Sequence, residues 1–522
     1  MIAPLQIAED YWQDFEIEKE DIEFIYNILL EKETPLTTNE IFSQLINSRI
    51  HRKIEELREK ESKQGNIYLP KDEFKVGEQL VFTALDSKKG KINDIREGRN
   101  PDYPDLKVIE VELESGDKRS FASGIEDHPL NQVMEISEDD PNLDPDFVEE
   151  RFGDEIRSKL EETLEENEDL VRIAGNWFPR SLLVDISVGH LNIAEAVLEE
   201  ADGGPIGTLD LMEQVELKSD ANERLMEFSF DLALQDDKRF DEVGPSGETL
   251  WYLHEMEPEN VKQVPVFLKT NLINASPDGL EEYLELFEGN VFDELDEWDS
   301  STKSESKISI SLIFPHWRSG TLPLSRTLKD MFPTAYEAPR VKFTFMDKGE
   351  NEAFPGWVVR PGKYIFGLKD WYEKNELMPG SLVTVEKGKN PGEILVSYQK
   401  SRQNKEWLRT VLVGSDQGIV FAMLKHPISA DFNERMAVAI PDVDALDEIW
   451  MKNVYGKEQI DKTVMRIMRE LSKLNPQGQV HAQELYAALN VIRRCPPTLV
   501  LQSLFKNEGL SHLGDLYFRI EE

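Results

Sequence analysis

Residues 203–253 read GGPIGTLDLMEQVELKSDANERLMEFSFDLALQDDKRFDEVGPSGETLWYL. Thr208 stands where a helix cap belongs, and Leu209, Leu211, Met212 and Val215 follow it at helical spacing. Leu225, Phe228 and Leu232 line one face of a further helix. Arg239-Phe240 then reads as a strand, Gly244-Pro245-Ser246-Gly247 as a turn and Leu250-Trp251-Tyr252-Leu253 as the returning strand. Helices followed by a two-stranded wing predict one small closed module. Fainter versions of the same order occur near both ends of the chain.

A chain of 522 residues is too long for a single core, and its length predicts three to five domains. With 39% hydrophobic and 9% aromatic residues it can build real cores. No apolar run is long enough to span a bilayer, and the start, MIAPLQIAEDYWQDF, lacks the pattern of a signal peptide. The single cysteine, Cys495, excludes an intramolecular disulfide and a cysteine-built zinc site. These features predict a soluble cytoplasmic protein. The net charge of −43 is unevenly spread: residues 1–301 hold 29 Lys and Arg against 75 Asp and Glu, whereas residues 302–427 hold 19 against 13. The acidic part opposes broad phosphate binding, so any nucleic-acid contact is expected in the basic island.

Residues 18–70 predict a helix-turn-helix-like module. Ile22, Ile25, Tyr26, Leu29 and Leu30 make one stripe, Thr37 and Glu40 a capping box, and Ile41, Phe42, Leu45 and Ile46 a second helix. A third helix is expected from Ile50, with mixed charge that includes Arg49, Arg52 and Lys53, and a rudimentary wing at 65–68. Residues 72–128 change to strand alternation with turns at Lys89-Gly90, Asn100-Pro101 and Ser115-Gly116-Asp117, predicting a small β-barrel. The run VGEQLVF and the glycine and return strand after it resemble KOW-type barrels of transcription and translation factors. Glu73-Phe74-Lys75 has the look of a nuclease fragment, but no isolated acid on a preceding strand completes a metal site. Residues 131–170 crowd acids, from Glu138-Asp139-Asp140 to Glu168-Asp169, over a stripe of Phe147, Phe152, Ile156, Leu160 and Leu164. They predict a solvated linking helix or a partner-binding one.

Residues 171–299 contain the 203–253 module and an acidic extension. The opening VLEEADGGPI, the helical middle and the closing RFDEVGPSGETLWYL make residues 190–254 resemble the HARE-type winged helix, the fold of the delta subunit of bacterial RNA polymerase. The resemblance covers about 60 of 522 residues and implies a link to transcription without a catalytic residue. One departure bears on its partner: its last helix carries Glu223, Glu227 and Asp231 against Arg224, and residues 203–253 hold 12 acids and 4 bases. Phosphates flanking a major groove would repel such a helix.

The polar stretch 300–306 predicts a domain boundary, and residues 307–400 follow as a basic β domain with alternation at Ile308, Ile310 and Leu312, Val341, Phe343 and Phe345, and later strands. An LP entry to a helix, a Trp357 strand and the Trp371-Tyr372 helix resemble the pseudobarrel DNA-binding domain of plant transcription factors and restriction-enzyme specificity domains, over about 90 residues. Ser381 stands where that family has an acid. The resemblance implies two DNA-gripping arms: His316, Trp317, Arg318 and Arg326 in the first, Arg360, Lys363 and Lys369 in the second. Arginines there would take guanine edges and lysines phosphate.

Residues 401–457 predict a β/α extension with no functional signal, in which His426 is expected to be structural. Residues 458–522 repeat the winged-helix order, with Arg493, Arg494 and Lys506 as phosphate candidates. No Walker loop, dinucleotide fingerprint, HExxH or nucleophile elbow occurs, and none of the eight histidines pairs at helical spacing. The sequence therefore predicts an α+β multidomain chain of several winged-helix modules, a small KOW-like β-barrel and a β pseudobarrel. It is expected to be non-enzymatic, without cofactor or metal. The expected partners are double-stranded DNA and RNA polymerase or another basic protein, with an RNA-polymerase-associated scaffold or a defence-system specificity component as alternatives.

Overall fold

The structure, a computed structural model, describes residues 11–521 apart from 64–65, 86–87, 101–105, 127, 132–140, 218–220, 271–275, 288, 297–305, 391 and 416. The chain is mixed α and β, with several separate sheets in two compact units, 1–183 and 184–522.

In the first unit, helix Lys19–Lys32 leads through the short strand Leu36–Thr37 into one unbroken helix, Thr38–Lys63. The expected break at Ile50 does not occur. Arg49 is buried instead of lying on a surface, because it donates to both carboxylate oxygens of the buried Asp21 at 2.9 and 2.5 Å and so ties the two helices together. Asn66–Ile67, in the stretch read as a wing, pairs in parallel with Gln79–Phe82 as the edge of a five-stranded sheet that continues through Lys88–Glu97, Lys107–Leu113 and Lys118–Ser123. After this insertion comes Pro145–Glu165, the acidic helix read as a linker. It buries Val148, Ile156, Leu160 and Leu164, so its stripe belongs to a core and only its other face is solvated. The hairpin Leu170–Ile173 and Asn176–Pro179 closes the unit by pairing with Leu36–Thr37, and the expected division at 170/171 therefore cuts through a sheet. The acids Glu138-Asp139-Asp140 and most of the loop after Asn100 lie outside the described residues.

The same order of elements returns twice in the second unit. Val188–Glu200, Ile206–Gly207, Thr208–Val215, Glu223–Asp236, Phe240–Glu242 and Leu250–Leu253 form one copy. Ile460–Ser472, Gln479–His481, Ala482–Ile492, Pro497–Lys506, Leu510–Gly514 and Tyr517–Ile520 form the other. In all three copies the short strand after the first helix pairs with the last strand of the hairpin.

Two copies share a polar staple at that pairing. Trp177 lies opposite Leu36, and its indole donates to the Thr38 hydroxyl at 3.1 Å, which donates to Glu161 of the third helix at 3.0 Å. Trp251 lies opposite Ile206, and its indole reaches Thr208 at 3.1 Å and Asp231 of the third helix at 2.9 Å, with Thr208 donating to Asp231 at 2.6 Å. Each buried donor therefore has an acceptor. In the C-terminal copy Phe518 stands opposite Val480 and Ala482 takes the threonine position, so the staple is apolar.

Between the two copies of the second unit lies a seven-stranded half-barrel sheet. Its order is Lys307–Ser311, Leu382–Lys387, Glu393–Tyr398, Arg340–Asp347, Ala353–Val359, Tyr364–Phe366 and Thr321–Pro323. All its pairings are antiparallel except Arg340–Asp347 with Glu393–Tyr398. Helix Phe314–Ser319 ends at Gly320, whose φ of +66° and approach to the Lys369 backbone exclude a side chain. A long hairpin, Lys400–Val413 with Ile419–Ala430, follows the sheet. The stretch 300–306 does not separate compact units: Asp293 and Asp296 before it bond Arg494, Tyr486 and Thr498 far beyond it. Residues 300–305 themselves lie outside the described ones.

Burial pushes the Asp231 carboxyl up to about 7, against the lowering effect of the bonds from Thr208 and Trp251. The native chain keeps a proton there that the unfolded chain, at the ordinary 3.8, releases, so stability falls as pH rises from 3.8 to about 7. Asp231→Asn keeps an acceptor for both donors without the charge and is expected to flatten that slope in urea unfolding followed from pH 5 to 8. Asp231→Ala, which orphans the indole and the hydroxyl, is expected to cost about 1–3 kcal/mol at pH 5.

Candidate nucleic-acid interface

The seven residues expected to grip DNA separate into two groups. The first surrounds helix Phe314–Ser319 and is spent on internal contacts. His316 is buried: its Nδ1 meets Thr321 Oγ1 at 2.9 Å, and its Nε2 donates to Glu294 at 2.9 Å. Trp317 is half-buried and donates to the Leu377 carbonyl at 2.6 Å, with Lys369 Nζ 5.4 Å from its ring centroid. The Arg318 guanidinium is paired with Asp447 at 3.0 and 2.5 Å, which raises its pKa, and Lys369 is paired with Glu373 at 3.0 Å. A first arm built on His316 is therefore corrected: inside this unit the imidazole is needed by Glu294, and no base edge can reach it.

That carboxylate belongs to a fully buried network. Arg494 donates to Asp293 at 2.9 and 2.5 Å and lies 2.9 Å from Glu294, while Tyr486 donates to Asp293 at 2.6 Å. Burial acts to raise the Glu294 pKa, but Arg494 and His316 outweigh it and hold the carboxyl below the usual carboxylate range. Burial likewise lifts the Cys495 thiol to about 12, which leaves it protonated and unreactive at neutral pH. Arg493 is buried too and donates to the Glu458 carbonyl at 2.9 Å. The phosphate role expected for Arg493 and Arg494 is thus overturned by their burial.

The second group converges. Arg326 follows the strand Thr321–Pro323, and Arg360 and Lys363 flank the turn between Ala353–Val359 and Tyr364–Phe366. All three line one cleft of about 860 Å³ together with Lys329, Ser325 and Thr334. Arg360 is exposed and steadied by the carbonyls of Ala335 and Ala338 at 3.1 and 3.0 Å. Lys363 is exposed, and its left-handed backbone (φ 52°) is braced where its carbonyl accepts from Leu324 at 2.8 Å. The acids that line the cleft are the buried Glu294, held by Arg494 and His316, Asp296, held by Thr498, and the exposed Asp330. Lys329 was missed in the sequence; its place in a one-turn helix, Lys329–Met331, carries no periodic signal.

Among the described residues, Asp241, His254 and Glu257 are close enough to share a cation. Arg340 already fills that position, its Nη1 lying 2.5 Å from Asp241 and 2.6 Å from Glu257. The clasp fastens the second helical copy to the half-barrel sheet, as do the bonds from Lys342 to the Val243 carbonyl at 2.9 Å and from Ser246 to the Thr334 carbonyl at 2.6 Å. His426 meets the Thr410 hydroxyl at 2.9 Å.

Comparison with protein-family models, curated proteins and solved structures finds no match. Replacing His316 by Ala is expected to lower stability by about 1–3 kcal/mol in urea unfolding, because Glu294 loses a buried donor. The same replacement is expected to leave any affinity for duplex DNA, read by fluorescence anisotropy, unchanged.

Proposed function

We propose that this is a non-enzymatic, transcription-associated DNA-binding protein whose duplex contact is the cleft of Arg326, Lys329, Arg360 and Lys363. The observation that carries the proposal is the convergence of four cations from two loops at one end of a β-sheet in a chain of net charge −43. Two guanidiniums can take base edges, and two flexible ammonium groups can hold phosphate. The repeated order of helix, strand, helix, helix and hairpin supports reading the three copies as winged helices, with residues 190–254 of HARE type. The five-stranded insertion supports the KOW-like reading, and the half-barrel the pseudobarrel one.

The winged helices are assigned to protein. The third helix of the first is Pro145–Glu165, whose exposed face is acidic, and that of the second carries Glu223 and Glu227. The third helix of the C-terminal copy buries Thr498, Val500, Leu501 and Leu504. The hairpin of the second copy is occupied by the half-barrel sheet through Val243 and Lys342. Acidic faces of this kind suit a basic protein surface, such as one on RNA polymerase, and they favour the scaffold as the second reading.

The full chain is expected to bind a labelled duplex of about 30 base pairs with an affinity that falls steeply with salt. The double variant Lys329→Ala, Lys363→Ala is expected to reduce the salt slope by about 1.8. Absence of duplex binding at about 50 mM salt overturns the DNA assignment. In that event, capture of RNA polymerase by the full chain would support the scaffold.

A further inference from the structure

The hairpin Lys400–Val413 with Ile419–Ala430 is packed at both ends and along the face that buries Leu408 and Ile428, and its opposite face is exposed around Trp407. Val411, Ile419 and Phe421 are buried in the core shared with the C-terminal copy, and Tyr455 donates to the Gln417 carbonyl at 3.1 Å. The short strand Val438–Ala439 pairs only with Arg409 and Thr410. From Asn404 to Leu408, the described pairing is with Ile419–Ala430 alone.

The register sorts the side chains of this ribbon. Lys405 lies opposite Pro427, Trp407 opposite Lys425, and Arg409 opposite Met423. Directly opposed residues share a side of the sheet, so these six define one face, and Glu406 with His426 lies on the other. Trp407 is 59% exposed, an unusual position for an indole, and Lys425 Nζ sits 5.2 Å from its ring centroid. Lys405 and Lys425 are exposed. None of the six is an acid, and Glu484, which reaches Arg409 on this face, is paired with it at 2.6 Å.

We propose that this face is a stacking platform for single-stranded nucleic acid. Trp407 takes a base on its exposed ring, and Lys405 and Lys425, on either strand, take the flanking phosphates. An aromatic ring between lysines on an exposed face matches a flexible polyanion with unpaired bases, whereas a duplex hides its base faces. The site lies outside the Arg326 to Lys363 cleft and does not depend on duplex binding there.

The test is anisotropy of a fluorescein-labelled oligo(dT) of about 20 nucleotides with the full chain. Trp407→Ala is expected to weaken binding on the order of tenfold, and Trp407→Phe to restore most of it. Lys405→Ala with Lys425→Ala is expected to lower the salt slope by about 1.4. An unchanged melting temperature in the Trp407 variants confirms that the loss is local. The proposal is overturned if the wild-type chain does not bind the oligomer at about 50 mM salt, or if Trp407→Ala binds as tightly as wild type. It is also overturned if Lys329→Ala with Lys363→Ala removes single-strand binding, since the strand would then occupy the cleft. Loss of duplex binding alone in that variant leaves the platform standing.

Discussion

The guanidinium of Arg494 is completely buried between Asp293 and Glu294, and the second unit is built around that contact. Bare burial of three charges would cost several kcal/mol per ion, and the cost is offset only because each is met by geometry. Arg494 has two carboxylates and the Asn490 carbonyl; Asp293 has Tyr486; Glu294 has His316. The network joins an acidic loop, the helix that enters the half-barrel and the C-terminal copy of the helix, strand, helix, helix and hairpin order. It explains why the 300–306 stretch does not divide the chain into independent domains. It also explains why His316 and Arg494 have no surface to offer.

A second constraint operates three times at smaller scale. Each copy of the helix, strand, helix, helix and hairpin order must fasten a two-residue or three-residue strand to the far strand of its hairpin. Two copies do so with an indole, a hydroxyl and a carboxylate from the third helix. The C-terminal copy uses Phe518 and Ala482 and merges into a much larger apolar core. A short strand contributes few ladder bonds, so a side-chain staple at its end has a disproportionate effect on closure. Where a large core surrounds the site, packing replaces the polar staple.

Charge is handled by the same logic. The acids of Pro145–Glu165 and Glu223–Asp236 are mostly outward, which keeps phosphate away from helices that would otherwise resemble recognition helices. The bases of the half-barrel divide by place: Arg318, Arg340 and Lys369 pair with acids inside the unit, and Arg326, Lys329, Arg360 and Lys363 line the cleft at the end of the sheet. Net charge over a segment does not distinguish these two populations.

Local patterning sets the periods. Helical stripes, strand alternation, the Gly-Pro-Ser-Gly hairpin turn and the mixed α and β character were all legible, because they depend on neighbours three or four residues away. The staple was half legible: Thr208 and Trp251 were seen as a cap and a strand residue, but Asp231 looked like one more surface acid. The first copy was misread because a five-stranded sheet is inserted between its second and third helices, so Pro145–Glu165 appeared detached from the core it completes. Which arginines face solvent, which acids are buried and where Lys329 and Lys363 meet were decided by tertiary structure alone. Those outcomes depend on contacts between residues as far apart as Asp293 and Arg494, and a linear pattern of charges holds no record of which opposite charge, two hundred positions away, will be its partner.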